Sequence, residues 1–366
     1  MKRRSFSKSM ITGALSAALP SFWSCAPSEK QIRALVLGGT YFVGPAIVNA
    51  LQHAGVNLTL FNRGITNPNL FADVPLIRGD REKGAVGYDQ LGETEWDVIV
   101  DVWPEKSKLV DEATSRLALQ TQHYVFISSI AVYNDFQEVG LHEGSEVVLP
   151  RADHTVWDYA EEKITAENLV RDRFPDNHTI VRAGAIKGWR DPALDLLYWG
   201  LKLRQNEEIL APGSGLDPLQ FIDVRDVGRL VETAVTKGLV GTYNCVGPSH
   251  ERLLWKDFLQ EAKNHLNSTS RLYWAPEKFL RANEVYSFSD LPLWAPISED
   301  RGFMQISNAK IVSSGFDFTP WTKTLDDCLA WFDSEIKEIP KFGSEGLGIG
   351  LAPARESNLI ASLPTE

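Results

Sequence analysis

The 366-residue sequence predicts an α/β protein: a doubly wound parallel sheet with a smaller C-terminal substrate-binding lobe. Three observations lead there. Strand-like and helix-like apolar patterns alternate through about residue 185, which implies parallel strands joined by crossover helices. The run Arg33-Ala34-Leu35-Val36-Leu37 breaks at Gly38-Gly39 and resumes as Ala46, Ile47, Ala50 and Leu51 at helical spacing. A second apolar run, Tyr124-Val125-Phe126-Ile127, ends in Ser128-Ser129, and ligands of open α/β sheets bind outside the carboxyl ends of strands.

Taken in chain order, residues 1–30 read as a targeting segment. Met1-Lys2-Arg3-Arg4-Ser5-Phe6-Ser7-Lys8 carries the Arg-Arg-x-Phe-x-Lys pattern of a twin-arginine export signal, and a short apolar stretch, Met10 to Trp23, follows. That stretch falls short of the ~20 residues a membrane span needs and fits the apolar region of a signal. Cys25 is a candidate lipid-modified first residue of the mature chain. The address implied is periplasmic or membrane-anchored, with a cytoplasmic protein as the alternative. Twin-arginine export carries folded proteins, so a cofactor can leave inside one.

Residues 31–185 read as a Rossmann-type dinucleotide domain. A strand, a glycine turn and a helix place a helix N-terminus where a pyrophosphate is received. Gly38, Thr40, Tyr41, Phe42, Val43 and Gly44 are therefore candidate cofactor contacts. A glycine turn alone often makes an ordinary connection. Here the next strand, Val56-Asn57-Leu58-Thr59-Leu60-Phe61, follows at the interval a dinucleotide fold needs, with Asn62 and Arg63 at its end.

Ser129 ends a strand on the ligand side, either capping the following turn or reaching a substrate oxygen. Further on, Tyr159 and Lys163 in Trp157-Asp158-Tyr159-Ala160-Glu161-Glu162-Lys163 lie one helical turn apart on one face. A nearby ammonium favours the phenolate and lowers a phenol that normally titrates near ~10, so Tyr159 is expected to act as a base near neutrality. Such a base removes or returns a carbinol proton while hydride moves.

These three stretches, in this order, resemble the short-chain dehydrogenase/reductase superfamily in its extended or atypical NAD(P)-dependent epimerase/dehydratase branch. The resemblance runs from about Gln31 to Trp331 and includes Gln220-Phe221-Ile222-Asp223-Val224-Arg225-Asp226-Val227, Asn308-Ala309-Lys310 and Gly315-Phe316. It implies Tyr159 as base, Lys163 as its activator and a ribose ligand, and Ser129, four residues before Tyr133, as the third catalytic group. Asp80 in Arg78-Gly79-Asp80-Arg81 matches the family's adenine contact. A homodimer through two helices of the Rossmann lobe is a further implication.

Three departures matter. Tyr41 stands where the family's glycine pattern has Gly, which puts the backbone's approach to the pyrophosphate in question. The acid that NAD-preferring members carry after the second strand is replaced by Asn62 and Arg63. Arg63 suits a 2′-phosphate, which leans the cofactor from NAD towards NADP; a solvated loop arginine is the alternative. Leu219 replaces the arginine that grips the diphosphate of nucleotide sugars, favouring a free sugar, a glycoside or another polar alcohol.

Composition is that of an ordinary globular protein, with 23% charged and 43% hydrophobic residues. Residues 186–339 read mainly as the substrate lobe, with strands near 220–246, Phe221-Ile222 and Tyr243-Asn244-Cys245-Val246, returning to the first domain. Residues 340–366 read as a surface-draped or loose tail. Most of the eleven tryptophans fill core; Trp103 and Trp189 are candidates for the substrate pocket, as is Ser128. The seven histidines show no metal-ligand spacing, and Cys245 and Cys328 read as buried thiols. Net charge is −11, and removing Lys2, Arg3, Arg4 and Lys8 with the first 25 residues takes it to −15. That balance argues against nucleic acid, although the glycine variant also resembles the superfamily's chloroplast stem-loop RNA-binding branch. Two enzyme readings compete: an epimerase/dehydratase that regenerates its cofactor in each turnover, and a net NADP-dependent reductase or dehydrogenase.

Overall fold

A computed structural model of the protein describes residues 31–102, 105–151, 158–205, 208–247 and 252–364. The export pattern, Cys25 and Trp103 lie outside the described residues.

The sheet begins with β1 (Arg33–Leu37), whose last four residues are fully buried. Side chains alternate across a strand, and here the alternation builds two layers. Ala34 and Val36 pack with Ile47, Leu51, Val227 and Val231, whereas Leu35 and Leu37 pack with Tyr88, Val110, Phe126 and Val170. Helices α1 (Val43–His53) and α5 (Val224–Lys237) therefore cover one face. Helices α2 (Ser107–Leu117) and α3 (Tyr159–Arg173) cover the other.

Strands β2 (Asn57–Asn62), β3 (Leu76–Arg78), β4 (Val98–Asp101), β5 (Tyr124–Ser129) and β6 (His178–Ala183) complete a seven-stranded sheet with a last strand at Gly241–Cys245. Across the sheet the strands run β3-β2-β1-β4-β5-β6 and then Gly241–Cys245, every pair parallel. Chain order reverses between β1 and β4, and a ligand crevice opens at such a switch point. The fold is a Rossmann-type doubly wound sheet.

Both returning segments reach the first lobe, where Ile222 and Cys245 are buried in its core. Gly241–Cys245 joins the main sheet beside β6, but Ile222–Asp223 pairs only with β7 (Ile186–Lys187) in a separate two-stranded ribbon. Two residues at the head of α5 are too few to extend the sheet before the helix begins.

The second lobe has its own core around α4 (Asp195–Arg204), where Trp199, Trp255 and Trp294 are buried together. The buried indole of Trp199 donates to Pro292 O at 2.8 Å. The segment after Ile339 is anchored here, so of the two forms expected it is draped over the surface rather than loose. Helix Pro353–Ala361 sends Glu356, 2% exposed, inward to pair with Lys202 on α4 and to accept Leu210 N at 2.9 Å. Leu351 and Leu359 join the same core. Its apolar residues are too few for a sequence pattern, yet one buried ion pair fixes the segment. Among the described residues, no helix is long and apolar enough to cross a membrane.

Candidate active site

The turn after β1 owes its shape to glycine. Gly38 and Gly39 have φ of 108° and 94°, a region that side chains disfavour. A Cβ on Gly44 would sit 2.6 Å from the carbonyl carbon of Gly39, so the start of α1 can fold against the turn only without a side chain. Phe42, at φ 41°, is the N-cap position of α1, and no side chain caps the helix. The Gly44 N–H goes to Tyr41 O at 3.0 Å, and no side chain competes with an anion for the other leading N–H groups. Tyr41, the departure from the glycine pattern, is 60% exposed and does not fill the turn.

A cavity of about 280 Å³ lies over this turn, lined by Gly38, Thr40, Tyr41, Asn62, Arg63 and Asp80 among others. Phe42, Val43 and Gly44 do not line it; they form the helix start behind it. Asn62 holds the turn, donating from Nδ2 to Gly38 O at 2.7 Å and accepting from Gly64 N at 2.8 Å. Asn67 donates to Thr40 O at 2.8 Å and ties the next loop to the same place. Arg63 is exposed on the rim, without an ion pair to any described residue. The Arg78 guanidinium lies against Gly64 beside it. Asp80 caps the following segment, Arg81–Leu91, accepting from Glu82 N at 3.2 Å. Phosphate-ready backbone at one end and guanidiniums and Asp80 at the other suit the pyrophosphate and adenosine ribose of a nicotinamide dinucleotide.

Beneath the cavity lies a pair that sequence reasoning missed. Arg81 meets Asp101 through two hydrogen bonds of 2.6 and 2.9 Å, and the Tyr124 hydroxyl donates to Asp101 at 2.7 Å. Asp101 is fully buried at the end of β4. Burial opposes the Arg81 charge, but Asp101 more than offsets that and raises the guanidinium pKa. A lone acid closing the apolar run Val98-Ile99-Val100 was the available signal.

At the end of β5 the structure brings Ser129, Tyr159 and Lys163 together. Ser129 Oγ accepts from Ala131 N at 3.1 Å, capping its turn, and its hydroxyl faces the Tyr159 phenol closely enough to act on its ionisation. Tyr159 is the first residue of α3, 53% exposed, on a helix closed by a capping box between Asp158 and Glu161. Arg151 clamps the same Glu161 with bonds of 2.7 and 2.6 Å. Lys163 is 1% exposed, with Nζ 5.6 Å from the Tyr159 ring centroid.

The electrostatics run opposite to the expectation that Lys163 lowers the Tyr159 pKa. Burial pushes the Tyr159 phenol above its usual value, and the facing Ser129 hydroxyl offsets that only in part. Lys163 lies over the ring rather than at the oxygen, and its Nζ donates to Ile127 O at 2.8 Å. Its own pKa is pushed well down by burial.

Two substrate candidates fall elsewhere. Ser128, 3% exposed, turns inward and donates to Glu167 Oε1 at 2.6 Å, because adjacent strand residues face opposite sides. Trp189 lines a separate groove between α1, α5 and the helix Trp321–Trp331, a groove that shares no residue with the dinucleotide cavity. Leu219, where an arginine would grip a diphosphate, is 1% exposed and belongs to the apolar core of the second lobe. Among the described residues, no cluster of His, Cys, Asp or Glu is arranged to hold a metal ion.

Residues 34–245 match the family model described as the NAD dependent epimerase/dehydratase family. The chain is 26% identical over 215 residues to the chloroplast stem-loop binding protein of 41 kDa b of Arabidopsis thaliana, a match covering 55% of this chain and 54% of that one. The chain thus spans about half the length of this curated relative. UDP-N-acetylglucosamine 4-epimerase of Bacillus cereus has a similar fold, with TM-score 0.59 and 15% identity over 82% of this chain and 99% of that one. So has the dTDP-glucose 4,6-dehydratase of Bacillus anthracis, solved in complex with NAD, with TM-score 0.60 and 16% identity over 84% and 98% of the two chains.

Proposed function

The chain belongs to the NAD-dependent epimerase/dehydratase family, and from that premise we propose that it is an enzyme acting at a carbinol of a sugar or related polyol, with Tyr159 as the base. The observation carrying this reading is the Lys163 ammonium over the Tyr159 ring, with the Ser129 hydroxyl facing the same phenol at the carboxyl end of β5. The nicotinamide, when bound, supplies the hydride acceptor. Ser129 orients the substrate oxygen towards Tyr159, Tyr159 takes the carbinol proton, and Lys163 binds the ribose. Moving the Lys163 ammonium from Ile127 O to the ribose and phenol would reverse the upward push on Tyr159.

Leu219 favours a sugar without a nucleoside diphosphate, since a leucine buried at that place offers no charge. A panel of unmodified sugars, glycosides and nucleotide sugars tests the class. Enzyme-bound reduced nicotinamide, read by its near-ultraviolet absorbance, is expected with the first two groups. A response to nucleotide sugars alone would contradict the assignment. The similarity to a stem-loop binding protein favours a second reading, a non-catalytic RNA-binding protein. The net charge of −11 and the assembled trio weigh against it, and stem-loop RNA retained by the pure protein at moderate salt would restore it.

The cofactor proposed is NADP, through Arg63. Arg63→Ala is expected to weaken NADP(H) binding by about 1.5–3 kcal/mol, the scale of a charge-assisted hydrogen bond, and to leave NAD(H) binding unchanged. Isothermal titration with both nucleotides checks this; equal losses, or none, make Arg63 a bystander. Export by the twin-arginine route is part of the same proposal, motivated by Arg3-Arg4 and by the way a retained, self-regenerating cofactor suits a compartment without a free pool. Arg3→Lys with Arg4→Lys should leave active protein in the cytoplasm, and export of that variant at the normal level in fractionated cells would remove the claim.

A further inference from the structure

Tyr159, Lys163 and Glu167 continue one i,i+4 line along α3, and the third member has no part in the chemistry described so far. Glu167 is fully buried. It accepts hydrogen bonds from Ser128 Oγ at 2.6 Å, Arg182 Nε and Nη2 at 3.0 and 2.8 Å, and Arg171 Nη2 at 2.6 Å. Ser128 precedes Ser129 on β5, and Arg182 lies on β6 beside it, paired in register with Ser128. One carboxylate thus joins the strand end bearing Ser129 to the helix bearing Tyr159 and Lys163.

We propose that Glu167 is a positioning residue of this site: it fixes the end of β5, with Ser129 and the Ile127 carbonyl that Lys163 meets, against α3 and places a carboxylate one helical turn from Lys163. The inference rests on the reading that Lys163 binds the nicotinamide ribose. Among the described residues, the groups facing Lys163 include Asp101 from β4, Glu167 and the Tyr159 ring from α3, and the Phe126 ring and Ile127 carbonyl from β5. Arg182 from β6 stands behind Glu167. Burial disfavours the ammonium, and the Asp101 and Glu167 carboxylates oppose that push. Without the Glu167 charge, Lys163 gives up its proton at lower pH.

The test uses NADPH and NADH as probes, with dissociation constants measured across pH by fluorescence on the full chain. Binding to wild type is expected to weaken at alkaline pH as Lys163 deprotonates. Glu167→Gln should move that limb about one unit lower, the scale of losing one nearby charge. This variant also leaves Arg182 buried without its carboxylate and will lower Tm. Glu167→Gln combined with Arg182→Met removes both charges, so it should regain Tm and, with the opposing Arg182 cation gone as well, bring the limb back towards wild type. A limb that coincides with wild type in Glu167→Gln, measured below its Tm, makes Glu167 purely structural and overturns the inference. If that occurs while Tyr159→Phe is inactive, only this inference fails; if wild type binds neither nucleotide, the proposed function fails with it.

Discussion

Tyr159→Phe is expected to keep the fold and the bound nucleotide and to lower turnover by at least ~100-fold, the scale of removing a positioned acid–base group. Tyr159 as a residue is 53% exposed at the start of α3 and Phe keeps its ring, so the change opens no cavity. Stability should accordingly stay close to wild type. The pH profile carries a second signature. With burial pushing Tyr159 up, the active phenolate gains population as pH rises, so the acid limb of wild-type kcat/KM should report its ionisation. In Tyr159→Phe the residual activity should lose that limb. Near-wild-type turnover in the variant, measured on whichever sugar the panel identifies, would remove Tyr159 from the chemistry.

Gly44→Ala is expected to damage the dinucleotide cavity from behind. The added methyl would press on the Gly39 backbone at 2.6 Å, and backbone on both sides has little room to yield. Overpacking of this kind costs about 1–3 kcal/mol, read as a lower midpoint in urea. The larger effect falls on binding, because relieving the clash moves the α1 N-terminus off the turn. Affinity for NADPH and NADH should drop at least about tenfold, the equivalent of about 1.4 kcal/mol. Unchanged affinity for both would show that the turn does not meet the pyrophosphate.

Much of this architecture was legible in the sequence because its signals are local. Buried parallel strands such as β1 read as unbroken apolar runs, and a glycine pair marks the turn that follows. The i,i+4 spacing of Tyr159 and Lys163 fixes a shared helix face wherever the helix sits. What escaped depends on the third dimension. Nothing in Ser128-Ser129 shows which hydroxyl faces Glu167, since that follows from the strand's register against α3. Trp189 is close to the site in sequence, but the chain turns it towards α1 and α5. The Arg81–Asp101 pair joins residues 20 apart in sequence, and Glu356–Lys202 joins residues 154 apart, so neither leaves a local pattern. The Tyr159 pKa was misjudged for a related reason. Spacing gives the proximity of Lys163, while burial and the Ile127 carbonyl decide where its charge points.

The central claim is that this chain holds a nicotinamide dinucleotide as a working part of its site. Denaturing the purified full-length protein and identifying what it releases tests that most directly. The account predicts a dinucleotide released in close to stoichiometric amount and in its oxidised form, NADP+ before NAD+. Release of no dinucleotide, together with failure of added NADPH and NADH to bind, would contradict it.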